Sequence, residues 1–229
     1  MAQRVKSRRR YDSSRRREQA AATRTEILEA AQRLFEQQGY AATTMAAIAE
    51  EAGVALKTVY VAFETKSGLL RALWHKLLRG DEADIPVRQR PWYGEILDEP
   101  DPERQLRMNA RNARAVKTRA AALMGVIRGA APADPEIAAL WSRIQSDFYD
   151  IQRTIVESLH ANDALQPGLD VTRATDILWT LNHPDLWHLL VGARGWTPEQ
   201  YEQWFGDTTC AQLLRHPTRR EPRRPAGRR

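Results

Sequence analysis

The 229-residue sequence predicts an all-α protein. Three observations carry this. Apolar residues recur at steps of three and four through most of the chain. No stretch alternates with period two. Three later segments open on the triplets Asp-Pro-Glu (101–103 and 134–136) or Thr-Pro-Glu (197–199). In each, the first residue can cap a helix, proline sits where its missing N–H is harmless, and the acid meets the positive helix end. The pattern corresponds to roughly nine or ten helices.

In the first, Ile27, Leu28, Ala31, Leu34 and Phe35 share one face, and Gly39 follows as a C-cap candidate. Met45, Ile48, Ala49 and Ala52 give the apolar side of a short second helix, with Thr44 at its N-cap. Residues 56–62 form a third and 66–78 a fourth. A connector with four prolines and seven acids follows, over 81–102. From 134 to 162, Ile137, Trp141, Ile144, Phe148, Ile151, Ile155 and Leu159 make one long buried stripe. Pro184 falls inside a helical pattern, so the chain must kink or break there.

Composition narrows the function. The chain is 42% hydrophobic and 28% charged, as in a globular protein, with no apolar run long enough to span a membrane and no secretory signal. A single cysteine, Cys210, excludes an intramolecular disulfide. His183 and His188, five apart, do not share a helix face, so no metal pair is expected. Acid pairs such as Glu202 with Asp207 lack any nucleophile or phosphate loop and read as a solvated acidic surface. No catalysis and no cofactor is expected.

The net charge of +6 conceals an uneven distribution. Residues 1–17 carry eight Lys/Arg against one acid, Arg15, Arg16 and Arg17 among them, and 215–229 carry seven Arg against one acid. The body is acidic. Basic arms on an acidic body fit contact with a polyanion at the basic end.

The stretch "IAEEAGVALKTVYVAF" (48–63) holds the most specific signal. Gly53 lets two short helices cross sharply, with Val54, Val59 and Phe63 pointing inward. Lys57, Thr58, Tyr60 and Val61 remain outward, a set suited to phosphates and base edges in a major groove. The wider segment "GYAATTMAAIAEEAGVALKTVYVAFETKSGLLRAL" (39–73) resembles the DNA-binding domain of TetR-family transcriptional regulators, and 174–214 is similar to the last two helices of many members, especially actinobacterial ones. The resemblance implies a homodimer that binds a palindromic double-stranded operator and releases it when a small molecule enters the C-terminal domain. It places Thr44, Tyr60 and Lys66 at phosphate-contacting positions and Lys57 and Thr58 toward the groove. Ala55 and Ala62 stand where members often carry Ser and His or Tyr, which leaves the arm at 1–17 to supply contacts in the minor groove.

In the second half, Trp141, Phe148, Trp179, His183 and Trp187 are candidate lining of a pocket for an apolar or aromatic effector. The same residues would also serve as core. Leu181, Leu189, Tyr201, Trp204 and Phe205 lie on two apolar helices that suit an intersubunit four-helix bundle, with burial inside one chain as the alternative. The expected organisation is a disordered basic arm (1–17), a helix-turn-helix domain (18–80), a helical effector-binding and dimerisation domain (81–214) and a disordered basic tail (215–229). The expected function is a cytoplasmic, nucleoid-associated repressor. The rival reading is a nonspecific architectural DNA-binding protein that uses its Arg-rich arms.

Overall fold

The computed structural model describes residues 3–79 and 87–215. Among them are ten α-helices, a 3₁₀ turn at Val87–Gln89 and a π-helical segment at His188–Ala193, with one isolated antiparallel bridge between Leu165 and Leu214. No helix there is long and apolar enough to cross a membrane.

Helix α1 runs Gln3–Ala42, interrupted at Gly39, where φ is +79°. It takes in the stretch expected as a disordered arm. The reason is local: residues 3–38 contain no glycine or proline and are rich in Arg, Gln, Glu and Ala, all good helix formers. Of the basic C-terminal tail, all but Arg215 lies outside the described residues.

The chain forms two compact units, and the boundary expected at 80/81 is not where it divides. The first comprises Met1–Ile85 with Ala115–Asp147, the second Pro86–Arg114 with Phe148–Arg229. Helices α6 (Pro102–Ala130) and α7 (Pro135–Ala161) each give one half to either unit. Apolar faces explain this. Ile27, Phe35, Ile48, Val59, Leu69 and Leu70 of the N-terminal helices share one core with Leu123, Ile127, Ile137 and Ile144 of α6 and α7. A domain of about 60 residues buries too little surface to be comfortably stable alone, and these half-helices enlarge its core.

Within the first unit, α2 (Met45–Glu51) turns into α3 (Leu56–Phe63) at Gly53, φ +65°. Val54 N–H donates to Ala49 O at 3.0 Å and Gly53 N–H to Glu50 O at 3.1 Å, the paired bonds of a Schellman end. Helix α4 (Lys66–Arg79) follows after two residues. There Gly68 is required for space: a Cβ would stand 2.6 Å from the carbonyl oxygen of Phe63. Gly68→Ala should therefore shift the α3–α4 turn and cost about 1–3 kcal/mol, the usual range for overpacking. The check is a lower urea midpoint at unchanged m-value.

The second unit adds α5 (Pro91–Asp98), α8 (Val171–Leu181), α9 (Pro184–Trp187) and α10 (Pro198–Leu213). At Pro184 the helix breaks: α8 stops at Leu181, and His183 caps α9 by accepting Asp185 N–H on Nδ1 at 3.3 Å. The three Pro-Glu starts fold as expected. Asp101 and Asp134 each accept two backbone N–H groups, and Thr197 with Gln200 completes a reciprocal capping box. The core holds Leu106, Ile155, Leu178, Tyr201, Phe205 and Leu213. The acids expected on a solvated surface are paired: Asp207 accepts from Arg107 at 2.8 Å, and Glu202 accepts from Arg114.

Candidate nucleic-acid interface

Helix α3 divides its side chains by spacing. Val59 and Phe63, four apart, are buried against the first core. Lys57, Tyr60 and Val61, at i, i+3 and i+4, share the opposite, exposed face, with Val61 76% accessible and Tyr60 48%. Thr58 lies half-buried at the edge of that face. Leu56, in the first turn and 41% accessible, stands exposed beside it. An amide, a hydroxyl or a phosphate oxygen placed there would meet one cation, one phenol and two apolar side chains.

The ends of α3 are fixed in different ways. Its N-cap is Ala55, which makes no side-chain cap bond; Thr58 N–H donates to Ala55 O at 2.8 Å, and the N–H groups of Leu56 and Lys57 are left for an outside acceptor. Its C-terminal end is held by Arg24 of α1. The Nη1 of Arg24 donates to Ala62 O at 2.7 Å, and the guanidinium lies 4.2 Å from the centre of the Phe63 ring. Only a tertiary structure reveals this partner, 38 residues away. Thr44 caps α2 as expected: its Oγ1 accepts Ala47 N–H at 3.1 Å, and the exposed hydroxyl keeps its own hydrogen for another acceptor.

Lys66, expected at a phosphate-contacting position, is tied to the backbone at the end of α1. Its Nζ donates to Tyr40 O at 2.8 Å and Thr43 O at 2.9 Å, and lies 4.2 Å from the Tyr40 ring centre. Burial lowers its pKa from the ordinary lysine range. The physical reason is the break at Gly39, which leaves carbonyl oxygens at the end of α1 without helical partners. Two of the three ammonium hydrogens are thus committed, and one remains for a phosphate. Arg15, Arg16 and Arg17 are exposed on α1, two turns before Arg24.

The candidate effector residues fall in both units. Trp141 packs half-buried on the first core. In the second unit the structure brings Trp179 edge-on to Tyr149, 6.4 Å between centroids, and to His183, 5.1 Å. Trp187 is buried against Tyr201 at 4.9 Å, and Phe148 is half-buried. Unforeseen are buried amides in the same interior. Asn109 and Asn182 both donate to Gln152 Oε1 at 3.4 Å, and Gln105 donates to Ser158 Oγ at 3.0 Å. Gln105 Oε1 and Trp179 Nε1 are buried without a hydrogen-bond partner. Gln105 and Asn109, four apart among apolar neighbours, were the available signal. Among the described residues, no three His, Cys, Asp or Glu side chains are grouped to hold a metal.

Of the residues expected at a dimer interface, Tyr201 and Phe205 are fully buried within the chain. Leu181 and Trp204 are half-buried, and Leu189 is 52% accessible.

Residues 27–73 match the family model of bacterial regulatory proteins, tetR family. The HTH-type transcriptional regulator TtgR of Pseudomonas putida is 47% identical over 60 residues, 26% of this chain and 29% of that protein. AcrR of Shigella flexneri is 42% identical over 57 residues, 25% of this chain and 26% of the regulator. The chain thus matches less than a third of the length of these relatives. The likeness in fold extends further. The SmeT–triclosan complex superposes on 84% of this chain and 92% of its own with a TM-score of 0.66 at 21% identity. NalD of Pseudomonas aeruginosa, the secondary repressor of the MexAB-OprM multidrug efflux pump, covers 86% and 98% with 0.64 at 20%. The helix-turn-helix segment is thus matched in sequence by the tetR-family model, and the all-helical architecture is matched in fold.

Proposed function

We propose that the chain is a sequence-specific DNA-binding transcriptional regulator, a homodimeric repressor that leaves a palindromic operator when a small molecule occupies its second unit. The observation that carries this reading is α3, whose two faces are fully separated: Val59 and Phe63 anchor it, and Lys57, Tyr60 and Val61 are left outward with no structural duty. A helix so displayed, beside a capped α2, suits insertion in a major groove. Two such heads about one helical turn apart would read two half-sites. Release follows from linkage: an effector that favours another spacing of the heads lowers operator affinity by its differential binding.

The second unit supports an effector that is apolar or aromatic with a hydrogen-bonding group. Trp179 and Tyr149 offer ring faces, while Gln105 Oε1 offers a buried acceptor. The triclosan seen with SmeT has that general chemistry, an aromatic body with polar substituents. Leu189, with Leu181 and Trp204, is the surface left for a second copy.

Selection of bound duplexes from random DNA at physiological salt tests the reading. The full chain and a chain lacking 1–17 and 215–229 should both recover one palindrome. Recovery of no motif, or loss of all binding without the terminal residues, would favour the charge-driven, nonspecific protein instead.

A further inference from the structure

The first unit contains a cleft of about 670 Å³ between α1, the end of α3 and α4, within the size range of small-molecule sites. It is separate from the face bearing Lys57 and Tyr60. Its apolar lining comes from Leu28, Phe63 and Ala72, and its charged lining from Arg24, Arg71 and Lys76, with His75 beside them, against a single acid, Glu64. Arg24 uses one N–H on a backbone carbonyl rather than a carboxylate, and Lys76 stands 3.8 Å from Glu29. Arg71 is exposed on α4.

A second observation concerns the rim. Glu64 closes α3 with φ +60° and ψ −53°, a conformation that residues with a side chain rarely adopt. Strain of this kind persists where surrounding structure holds it, often at ligand clamps. The following turn is tight as well, since Gly68, another lining residue, has no room for a Cβ.

We propose that this cleft is a second ligand site, for a small organic anion with a flat apolar body. The body lies on Leu28, Phe63 and Ala72. The carboxylate or phosphate group meets the Arg71 fork and the unused N–H groups of Arg24, which are suited to planar oxyanions. Such a ligand touches α1, α3 and α4 together and therefore bears directly on the end of the recognition helix.

The test is isothermal titration of the full chain with 2-naphthoate and with 2-naphthamide, its uncharged counterpart, at low salt. Naphthoate should bind once per chain and about tenfold tighter than the amide, as expected for one charge-assisted pair. The preference should vanish in Arg71→Ala, return in part in Arg71→Lys, and shrink as salt rises. Absence of naphthoate binding to millimolar concentration would overturn the proposal. So would equal affinity for the amide, or a charge preference undiminished in Arg71→Ala. If Arg71→Ala weakens duplex DNA binding and leaves naphthoate affinity unchanged, the cleft is a wall for DNA and the proposal fails.

Discussion

Lys57→Glu is expected to weaken binding to the selected duplex by at least about a hundredfold. Removing one good groove contact typically costs about 1–3 kcal/mol, and in a dimer both heads lose it. The new carboxylate adds repulsion from phosphates. The fold should not suffer, because Lys57 is exposed and shares no core contact. Equal urea midpoints for the variant and the parent would verify this. The milder Lys57→Ala tells which group the ammonium meets. If it meets a phosphate, affinity falls alike on all sequences and the salt dependence drops by about one unit per head. If it meets a base edge, the salt slope holds and discrimination at one operator position relaxes. Tyr60→Phe keeps the ring and removes the hydroxyl, and a loss near tenfold would match one hydrogen bond to a charged oxygen. Unchanged affinity in Lys57→Glu would mean that α3 does not enter the groove.

The helix-turn-helix was legible because its signals are local. Thr44 caps within three residues, Gly53 ends α2 by a backbone rule, and Val59 and Phe63 announce the inward face by spacing alone. The same holds for the capped starts at Asp101, Asp134 and Thr197. Pro184 foretold an interruption, although not that His183 would cap the new helix.

What stayed hidden depends on residues far apart in sequence. The phosphate-contacting position that the resemblance gives Lys66 carries no sign of the two carbonyls near the end of α1 that receive its ammonium. Tyr201 meets Trp187 edge-on and stacks on Phe205, which takes up apolar surface that could equally have faced another chain. Arg107 and Arg114 find Asp207 and Glu202 nearly a hundred residues later, and the hydrogen bonds to Glu103, then Asp207, raise the pKa of Arg107. The division between units was also invisible, because α6 and α7 have continuous stripes and nothing marks where one core ends.

Asp134→Ala is expected to destabilise the first unit by about 1.5–5 kcal/mol, the sum of two losses. Asp134 Oδ1 accepts the N–H groups of Glu136 and Ile137, and loss of such a cap costs about 0.5–2 kcal/mol. Its Oδ2 accepts from Tyr40 Oη at 2.8 Å, and a part-buried hydroxyl left unpaired adds about 1–3 kcal/mol. Beside it Ser67 donates to Glu136, so α7 is fastened to the end of α1 and the start of α4 at one place. Tyr40→Phe removes one donor and spares the cap, so about 1 kcal/mol is expected. The double variant should cost less than the sum, because the two residues share a bond. The pH profile gives an independent check. The Tyr40 hydroxyl, chiefly, holds the Asp134 carboxyl below its ordinary range, burial opposes it, and the two N–H groups and Lys66 assist. A depressed carboxyl stabilises the fold above its unfolded pKa of about 3.9 and loses that contribution as pH falls through the folded value. Burial, and then Asp134, raise the Tyr40 phenol, so at the alkaline end the contribution is lost as pH rises beyond about 10. The stability gap between parent and Asp134→Ala should therefore be flat between about pH 5 and pH 9 and narrow on both sides. A gap that varies across neutral pH, or a loss no larger than that of Tyr40→Phe, would show that Asp134 does not fasten these helices.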